Sequence, residues 1–377
     1  MTVCCYILPP YITDRLDGPQ AQQTVDARAA RVVAALSGAT PTVTALDRVS
    51  VYDAGHLTVL PGAPLTTADP DAFRVNAALN ATLDLYRDLA QSFGASGVIA
   101  SVHYDSAYDN AYWDGSQMVF GDGDGTLFGS FTSCPDIAGH ELTHGLTGAR
   151  LDYSGQSGAL NESMSDCLGA LVRQRLMHAG PQDPDGWLIG KGLLLEEGAR
   201  ALRDMLHPGT AYATGHLGAD PQPDDMSRYV HTTKDDGGVH FNSGIPNRAF
   251  ALTAQALAST EDAARVWLGA LNKVTPAAQF ADFAAATVAL SAAALVPWQT
   301  VGVLPPMPAP IPAPNPTPPA PIPLPPAPNP MPLPPAFPTV EQTFRVELKK
   351  LLARKVWTAP HGFRVAAQAW LDSRPGV

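Results

Sequence analysis

The sequence predicts an α+β fold of two lobes, with an N-terminal α+β lobe, a mostly helical C-terminal lobe, and a cleft between them where a site is expected. Its 377 residues exceed one average domain. Strand-like runs bounded by turn residues cross the first lobe at 49–52, 97–104 and 117–125. Helical patterns dominate from Asp136 onward, and one amphipathic helix is predicted earlier, at 71–93.

Composition divides the chain further. Residues 305–338 hold 19 of the 37 prolines and no charged residue. This favours an extended polyproline II spacer with a reach of roughly 100 Å, and a ligand for proline-binding domains is the alternative. The predicted segments are a short N-terminal segment (1–47), the α+β lobe (48–145), the helical lobe (146–303), the proline-rich spacer (304–338) and a small basic helical module (339–377).

The charge distribution narrows the function classes. A formal net charge of −11 argues against nucleic acid as a partner, because phosphate binding depends on clustered Lys and Arg. Seven Lys or Arg against three Asp or Glu give the module at 339–377 a charge of about +4. A solvated helix face explains that charge, and attachment to an anionic surface is the alternative. The partner of this module is unknown from the sequence.

Targeting signals are weak. The N-terminal residues do not match an ordinary secretory signal, since no basic residue precedes an apolar run that ends at Pro9. The most apolar later stretch, 283–296, is too short to cross a bilayer, which takes about 20 residues. We therefore expect no transmembrane segment. Four cysteines without C-x-x-C spacing leave the compartment open.

The motif H-E-x-x-H occurs at 140–144. On a helix, His140 and His144 lie on one face one turn apart, so both imidazoles can reach one zinc ion while Glu141 faces a bound water. A catalytic zinc takes a third protein ligand and keeps one position open. Glu162 fits that ligand in the next helical run, and Asp166 on the same face can accept a ring N–H of a zinc histidine. The alternative for this pair is two surface acids on an amphipathic helix.

The stretch 136–169, which contains H-E-L-T-H and Q-S-G-A-L-N-E-S, resembles the active-site region of the thermolysin family of zinc metallopeptidases. Residues 109–118 resemble the family's substrate-edge strand, and 235–244 resemble the segment of its second catalytic histidine. The resemblance covers roughly residues 48 to 303 and implies the two-lobed thermolysin-like fold.

The resemblance implies a neutral endopeptidase with one catalytic Zn²⁺. Glu141 is expected to take a proton from the attacking water, and His240 to stabilise the oxyanion that forms. The implied zinc ligands are His140, His144 and Glu162, the residues supporting them are Asp166 and Asn161, and the catalytic residues are Glu141, His240, Tyr153 and Asp235.

The resemblance also implies substrate-binding residues. Asn110 and the Ala111 backbone are expected to grip an extended peptide, and Arg203 to bind a substrate carbonyl; the alternative for Arg203 is a surface charge on a helix at 200–206. The residue after the scissile bond is expected to be Leu, Phe or Ile. The pocket implied for its side chain is formed by Phe128, Phe131, Ile137, Ile189, Leu193 and Leu202.

Calcium binding departs from the family pattern. Asp136 remains from the family's paired calcium site, but Arg173, Gly186, Leu188 and Lys191 stand where other ligands are expected. Calcium prefers a shell of oxygen ligands, so we expect the paired site to be absent. Around Asp122 and Asp124, the sequence G-D-G-D-G favours a turn over a separate calcium loop.

The segment 7–12 resembles the short propeptide motif of protealysin-like members of the family. Residues 1–47 are therefore expected to block the cleft of a self-inhibited precursor until they are removed, by a cut between about Ala39 and Ser50. A thiolate of Cys4 or Cys5 on the zinc is a further alternative. Partners are then peptide or protein substrates and the chain's own propeptide, with secretion by a non-standard route or a cytoplasmic location. A catalytically silent thermolysin-like scaffold that binds through its proline-rich arm is the alternative function.

Overall fold

A computed structural model of the chain describes residues 5–16, 48–91, 97–148 and 150–306. These residues lie in one unit, Met1–Pro308. The module predicted at 339–377 and nearly all of the predicted spacer lie outside the described residues, as does most of the segment 1–47. Within the described ranges, no helix is long and apolar enough to cross a membrane.

Six strands form the mixed sheet of the first lobe: β1 (Cys5–Tyr6), β2 (Val49–Asp53), β3 (Ala63–Pro64), β4 (Val98–Val102), β5 (Ala111–Trp113) and β6 (Gln117–Phe120). Their order in space is β1-β5-β6-β4-β2-β3. The β2–β4 and β4–β6 pairs are parallel, whereas β5 pairs antiparallel with β6 and with β1. All residues of β4, β5 and β6 are buried, so these strands form the centre of the lobe.

Two helices accompany the sheet, α1 (Pro10–Thr13) and α2 (Pro70–Asp88). Asp69 caps the start of α2, where one of its carboxylate oxygens accepts two backbone N–H groups at 2.9 Å. The helix ends at Asp88, five residues before the predicted end. Ala90 adopts a left-handed conformation with φ 54°, and the Gln91 N–H donates to the Tyr86 carbonyl at 2.8 Å. This is a helix C-terminal motif that glycine usually marks, and its absence here explains the longer prediction.

The second lobe is mainly helical. The helix α3 (Pro135–Thr147) leads into it, and its own helices are α4 (Gly155–Met177), α5 (Asp235–Asn242), α6 (Gly244–Leu257), α7 (Thr260–Leu271), α8 (Phe280–Leu290) and α9 (Leu295–Thr300). Two short antiparallel pairs join them, β7 (Leu188–Ile189) with β8 (Arg203–Asp204) and β9 (Ala213–Thr214) with β10 (Gly218–Ala219). Every residue of α4 from Ser157 to Gln174 is buried, so this helix is the axis of the lobe. Its buried polar residues therefore need partners inside the protein.

Two glycines let α3 and α4 cross closely. A Cβ atom added at Gly139 on α3 would lie 3.0 Å from the Gly169 Cα on α4. A Cβ atom added at Gly169 would lie 2.5 Å from the Asp136 carbonyl oxygen and 3.2 Å from the His140 nitrogen. Because both are backbone atoms of α3, the helices must separate to accept a side chain here.

We expect Gly169→Ala to lower the free energy of unfolding by about 1–3 kcal/mol, because it overpacks this crossing. It should also weaken zinc binding, since His140 is displaced relative to α4. Urea unfolding and zinc titration measure the two effects. Gly180→Ala is the matched control, because a Cβ atom there meets no heavy atom within 4 Å. Equal stability and zinc affinity of the two variants would contradict the prediction.

Candidate active site

Three side chains converge where α3 crosses α4. His140 and His144 lie one turn apart on α3, and Glu162 lies on α4. The two Nε2 atoms are 3.1 Å apart, and Glu162 carboxylate oxygens lie 3.4 Å from His140 Nε2 and 3.6 Å from His144 Nε2. All three side chains are buried, and their ligand atoms lie within 4.8 Å of one another. Such a group of nitrogen and oxygen ligands fits one zinc ion.

The orientation of both rings supports this fit. His140 Nδ1 lies 2.8 Å from Asp166 Oδ1, and His144 Nδ1 lies 3.1 Å from Asn161 Oδ1. An acceptor beside Nδ1 holds the ring proton there, so the lone pairs of both Nε2 atoms face the point of convergence. Two such lone pairs 3.1 Å apart repel each other unless a proton or a cation lies between them. The donor set therefore suits a metal ion.

The charges of the centre are set by burial and by close neighbours. Burial lowers the pKa of His144 to about 4, which keeps this ring neutral. Burial acts in the same direction on His140, but Asp166 and Glu162 outweigh it and raise the pKa of His140 to about 9. Burial raises the pKa of the Glu162 carboxyl, yet His240, His144 and His140 hold it well below its usual value. Glu162 is therefore an anionic ligand.

Glu141 connects helix α3 to strand β5. It is buried on α3, and its Oε2 accepts the backbone N–H of Trp113 in β5 at 3.1 Å. This contact fixes the distance between the carboxylate and the edge strand. The sequence motif predicts Glu141 but contains no sign of its Trp113 partner.

His240 forms the opposite wall of the centre. Its Nε2 lies 3.4 Å from Glu162 Oε2, and its Nδ1 lies 2.6 Å from Asp235 Oδ1. Asp235 Oδ2 also accepts the His240 backbone N–H at 2.8 Å, so one carboxylate fixes both the ring and the main chain. The Tyr153 hydroxyl donates to Glu162 Oε1 at 2.5 Å. The structure thus brings His240 and Tyr153 to the Glu162 carboxylate, with Asp235 behind His240.

The backbone before His240 is not a plain loop but an irregular start of α5. Gly237 and Gly238 have φ values of 88° and 81°, which favour glycine. A Cβ atom at Gly237 would lie 3.0 Å from the Gly155 nitrogen at the start of α4. These glycines let α5 approach α4 closely enough for His240 to reach Glu162.

Arg203 lies on strand β8 rather than on a helix, and its side chain is only 1% exposed. These two facts exclude the surface-charge alternative. Its Nε and Nη2 atoms donate to the two oxygens of Asp166 at 2.9 and 2.8 Å. Burial raises the pKa of the Asp166 carboxyl, but Arg203 and His140 outweigh burial and hold this pKa at about 2. Asp166 therefore links Arg203 to His140 as a buried anion.

The described N-terminal residues contact the predicted substrate-binding groups. The Ile7 N–H donates to the Ala111 carbonyl, and the Leu8 N–H donates to Asn110 Oδ1, each at 3.2 Å. Arg203 Nη1 donates to the Ile7 carbonyl at 3.2 Å. The segment from Tyr6 to Leu8 therefore lies along β5 in the cleft.

The six predicted pocket residues are all buried and belong to one hydrophobic cluster. The rings of Phe128 and Phe131 stack with centroids 5.9 Å apart. Leu202 donates its N–H to the Ile189 carbonyl at 2.9 Å, which holds two further members together. The fully buried Ile7 belongs to the same cluster, which is the large core that extends through both lobes. The complete set is Phe128, Phe131, Ile137, Ile189, Leu193 and Leu202.

One supporting residue escaped the sequence analysis. Asn247 on α6 donates to Asp166 Oδ2 at 2.8 Å and is fully buried. It lies 81 residues from Asp166 in the sequence and in an alanine-rich helix, so no local pattern marks it. A polar residue on the apolar face of α6 was the available signal.

A second group of acids and histidine lies apart from this centre. His103 lies between Asp122, 3.0 Å from its Nδ1, and Asp69, 3.5 Å from its Nε2. Asp71 nearby is occupied by Arg74 at 2.7 Å and by Ser130. These contacts tie the start of α2 to the end of β6. Further along the chain, one oxygen of Asp124 accepts three successive backbone N–H groups, as expected for a turn.

Comparisons with known proteins agree with this geometry. Residues 32–148 match the family description "Thermolysin metallopeptidase, catalytic domain", and residues 149–297 match "Thermolysin metallopeptidase, alpha-helical domain". The solved precursor of protealysin, a metalloproteinase from Serratia proteamaculans, superposes with a TM-score of 0.69 and 37% identity. The match covers 80% of this chain and 100% of that one.

Curated relatives are similar over different shares of their length. An extracellular metalloprotease of Pectobacterium carotovorum subsp. carotovorum is 44% identical over 280 residues, which is 67% of this chain and 80% of that protein. The protease PrtS of a Photorhabdus species is 43% identical over 59% of this chain and 64% of its own length. A thermolysin of Alicyclobacillus acidocaldarius subsp. acidocaldarius is 38% identical over 55% of this chain, which spans 38% of that protein.

We expect the purified chain to bind one zinc ion. His144→Ala should lose it, and Asp166→Asn should bind it about 10- to 100-fold more weakly, because the carboxylate that orients His140 is lost. Elemental analysis gives the stoichiometry, and competition with a chromogenic chelator gives the affinity. His231→Ala is the control, since this histidine is exposed. Unchanged zinc content of His144→Ala would refute the assignment.

Proposed function

The chain belongs to the thermolysin family of zinc metalloendopeptidases as a protealysin-like member, and we propose that it cuts peptide bonds on the N-terminal side of large hydrophobic residues and is made as a self-inhibited precursor. One observation carries the proposal. The convergent ligands His140, His144 and Glu162 lie beside Glu141, at the end of a cleft whose polar groups already hold an extended peptide.

The chemistry divides between the metal and the chain. Bound zinc supplies a Lewis acid that lowers the pKa of a water molecule toward ~7 and polarises the substrate carbonyl. Glu141 accepts the proton of that water and passes it to the nitrogen of the leaving amine. Its bond to the Trp113 N–H keeps the carboxylate beside the edge strand, where the substrate backbone lies.

Fixed donors stabilise the negative charge that develops on the substrate carbonyl oxygen. His240 is oriented for this by two bonds to Asp235, which place its Nε2 at the metal ligands. The Tyr153 hydroxyl lies on the same side and donates its single proton to Glu162 Oε1 here, so it can assist only when that proton turns to the substrate oxygen. Removing one such donor commonly costs about 3–4 kcal/mol of transition-state stabilisation.

Two hydrogen-bond acceptors and one donor position the substrate backbone. Asn110 Oδ1 and the Ala111 carbonyl accept substrate N–H groups, while Arg203 donates to a carbonyl. The side chain after the scissile bond enters the apolar pocket that contains Phe128 and Leu202. A pocket of this kind favours Leu, Phe or Ile and rejects a charged side chain, which would lose its hydration without gaining a partner.

The N-terminal segment inhibits the enzyme by occupying the groups that would bind a substrate. Ile7 and Leu8 use the bonds that a substrate needs, and Ile12 and Leu16 are buried behind them. A separate substrate must displace this segment before it reaches Arg203. The intact ligand set and Glu141 weigh against the alternative of a catalytically silent scaffold.

We expect zinc-loaded protein to cleave a quenched peptide with Leu after the scissile bond, and Glu141→Ala to lower kcat by a factor of about 10³ or more through loss of proton transfer. A chain that begins at Ser50, checked for folding by circular dichroism, should be more active than full length. Asp in place of the Leu should abolish turnover. Equal activity of both chain lengths would sink the self-inhibition, and Glu141-independent cleavage would sink the mechanism.

The paired calcium site of the family is proposed to be absent. The buried Asp136 carboxylate accepts Arg173 Nη1 at 3.3 Å, so a cation already lies where calcium would bind. Asp136 Oδ2 accepts the Gly190 N–H. Two oxygens held in this way do not form the shell of about six to eight ligands that calcium takes.

Millimolar calcium should therefore shift the Tm of the zinc-loaded protein by less than about 2 °C, which is no more than the shift caused by magnesium. Differential scanning calorimetry measures this. A shift specific to calcium that is lost in Asp136→Asn would contradict the prediction.

A further inference from the structure

The N-terminal segment lies in the cleft in a single register. Strand β1 is antiparallel to β5, with Cys5 opposite Trp113 and Tyr6 opposite Tyr112. The ladder continues with the bond from the Ile7 N–H to the Ala111 carbonyl. This register decides which peptide bond faces the catalytic groups.

In an antiparallel pair, successive residues point their N–H and C=O groups alternately toward and away from the partner strand. The Ile7 N–H points toward β5, so the Tyr6 carbonyl on the other side of the same trans peptide bond points away from β5. On one flank, Glu141 is bonded to Trp113, the residue opposite Cys5. On the other flank, Arg203 holds the Ile7 carbonyl. Along the chain, the Tyr6 carbonyl therefore comes between the residue opposite Trp113 and the carbonyl that Arg203 holds.

The distance to the metal ligands is set by a chain of short contacts. Arg203 holds the Ile7 carbonyl at 3.2 Å and Asp166 at 2.8 Å, and Asp166 holds His140 Nδ1 at 2.8 Å. The group that fixes His140 thus also fixes the residue after the Tyr6–Ile7 bond. The side chains are compatible with this register, because Tyr6 packs against Tyr112 with ring centroids 5.8 Å apart and the Ile7 side chain is fully buried in the hydrophobic core that also contains the pocket residues.

We propose that the Tyr6–Ile7 peptide bond is a self-cleavage site, held as a substrate rather than in a non-productive orientation; this rests on the proposed function. The water oxygen adds to the Tyr6 carbonyl carbon, and Glu141 carries its proton to the Ile7 nitrogen. The C–N bond breaks, and the second water proton also passes to the nitrogen, leaving a Tyr6 carboxylate and an Ile7 ammonium group. The step is a hydrolysis and needs no further reactant.

The cut does not release the inhibitory segment. Beyond Ile7, Pro9 and Pro10 supply no N–H groups, so strand pairing ends and α1 begins. Ile12 and Leu16 are 1% and 5% exposed and anchor this part of the chain. The new N-terminus therefore stays in the cleft, and the cut at Tyr6–Ile7 is distinct from the later cut between about Ala39 and Ser50 that frees the enzyme.

Intact-mass analysis of the zinc-loaded full-length chain tests this directly. We expect a species that begins at Ile7 to form with first-order kinetics, at a rate unchanged by tenfold dilution, and not to form in Glu141→Ala. Ile7→Asp should prevent the cut, because its carboxylate cannot enter the apolar pocket, while the matched control Ile7→Leu keeps it. A first cut at a neighbouring bond, or a rate that falls on dilution, would overturn the proposal.

Hydrogen exchange resolved to single amides gives a readout that needs no turnover. In Glu141→Ala, the Ile7 and Leu8 amides should exchange at least tenfold more slowly than in an unstructured peptide of the same sequence. Adding Asn110→Ala should remove most of the Leu8 protection and leave that of Ile7. Unprotected Ile7 and Leu8 amides in the Glu141→Ala protein would refute the register.

Failure here and failure of the proposed function are distinguishable. If the chain that begins at Ser50 cleaves the quenched peptide while full-length protein keeps residues 1–6 attached, only the self-cleavage site is wrong. If neither reaction occurs in zinc-loaded, folded protein, the proposed function is wrong as well.

Discussion

The Asp166 carboxylate holds together the residues on which the geometry of the site depends. It is completely buried, and a buried carboxylate is costly unless charged or polar donors surround it. Its two oxygens are held by His140, by two nitrogens of Arg203, and by Asn247. One anion therefore orients the proposed zinc ligand His140, the proposed substrate-binding residue Arg203 and helix α6. Removing it would leave the Arg203 guanidinium buried without a counter-charge.

This arrangement requires α3 and α4 to be closer than ordinary side chains allow. Asp166 and Gly169 lie within one turn of α4, and Gly169 faces the α3 backbone at Asp136 and His140. The glycine at the crossing thus determines whether the Asp166 oxygen reaches His140 Nδ1. The packing of the two helices therefore also sets the geometry of the metal site. A substitution at Gly169 is expected to change metal affinity as well as stability.

Residues repeated at helical spacing in the sequence were enough to predict which side chains of α3 and α4 meet at the site. His140, Glu141, His144, Glu162 and Asp166 all follow from two short helical motifs, and hydrophobic patterns predict α2 and the strands β2, β4 and β6. Contacts between distant segments were not predictable from such patterns. Asn247 and Trp113 reach the site only through the packing of α6 and β5. The end of α2 was misplaced because Ala90, not glycine, takes the left-handed position.

The Arg203 guanidinium explains why a peptide in the cleft has a fixed position relative to the metal centre. Its planar fork uses Nε and Nη2 for Asp166, so only Nη1 remains directed at the carbonyl of Ile7. A lysine would supply the charge but not this rigid geometry. The carbonyl that binds Arg203 is therefore placed at a set distance from His140, whether it belongs to a substrate or to the chain's own segment.

The inhibitory segment differs from a substrate in the residues beyond Leu8. There, Pro9 and Pro10 end the strand pairing, and the buried Ile12 and Leu16 keep the segment attached. Up to Leu8, the segment makes the same backbone bonds that an extended substrate needs. In the proposed precursor, inhibition would thus arise from retention of the bound segment, not from a distorted bond at the catalytic groups.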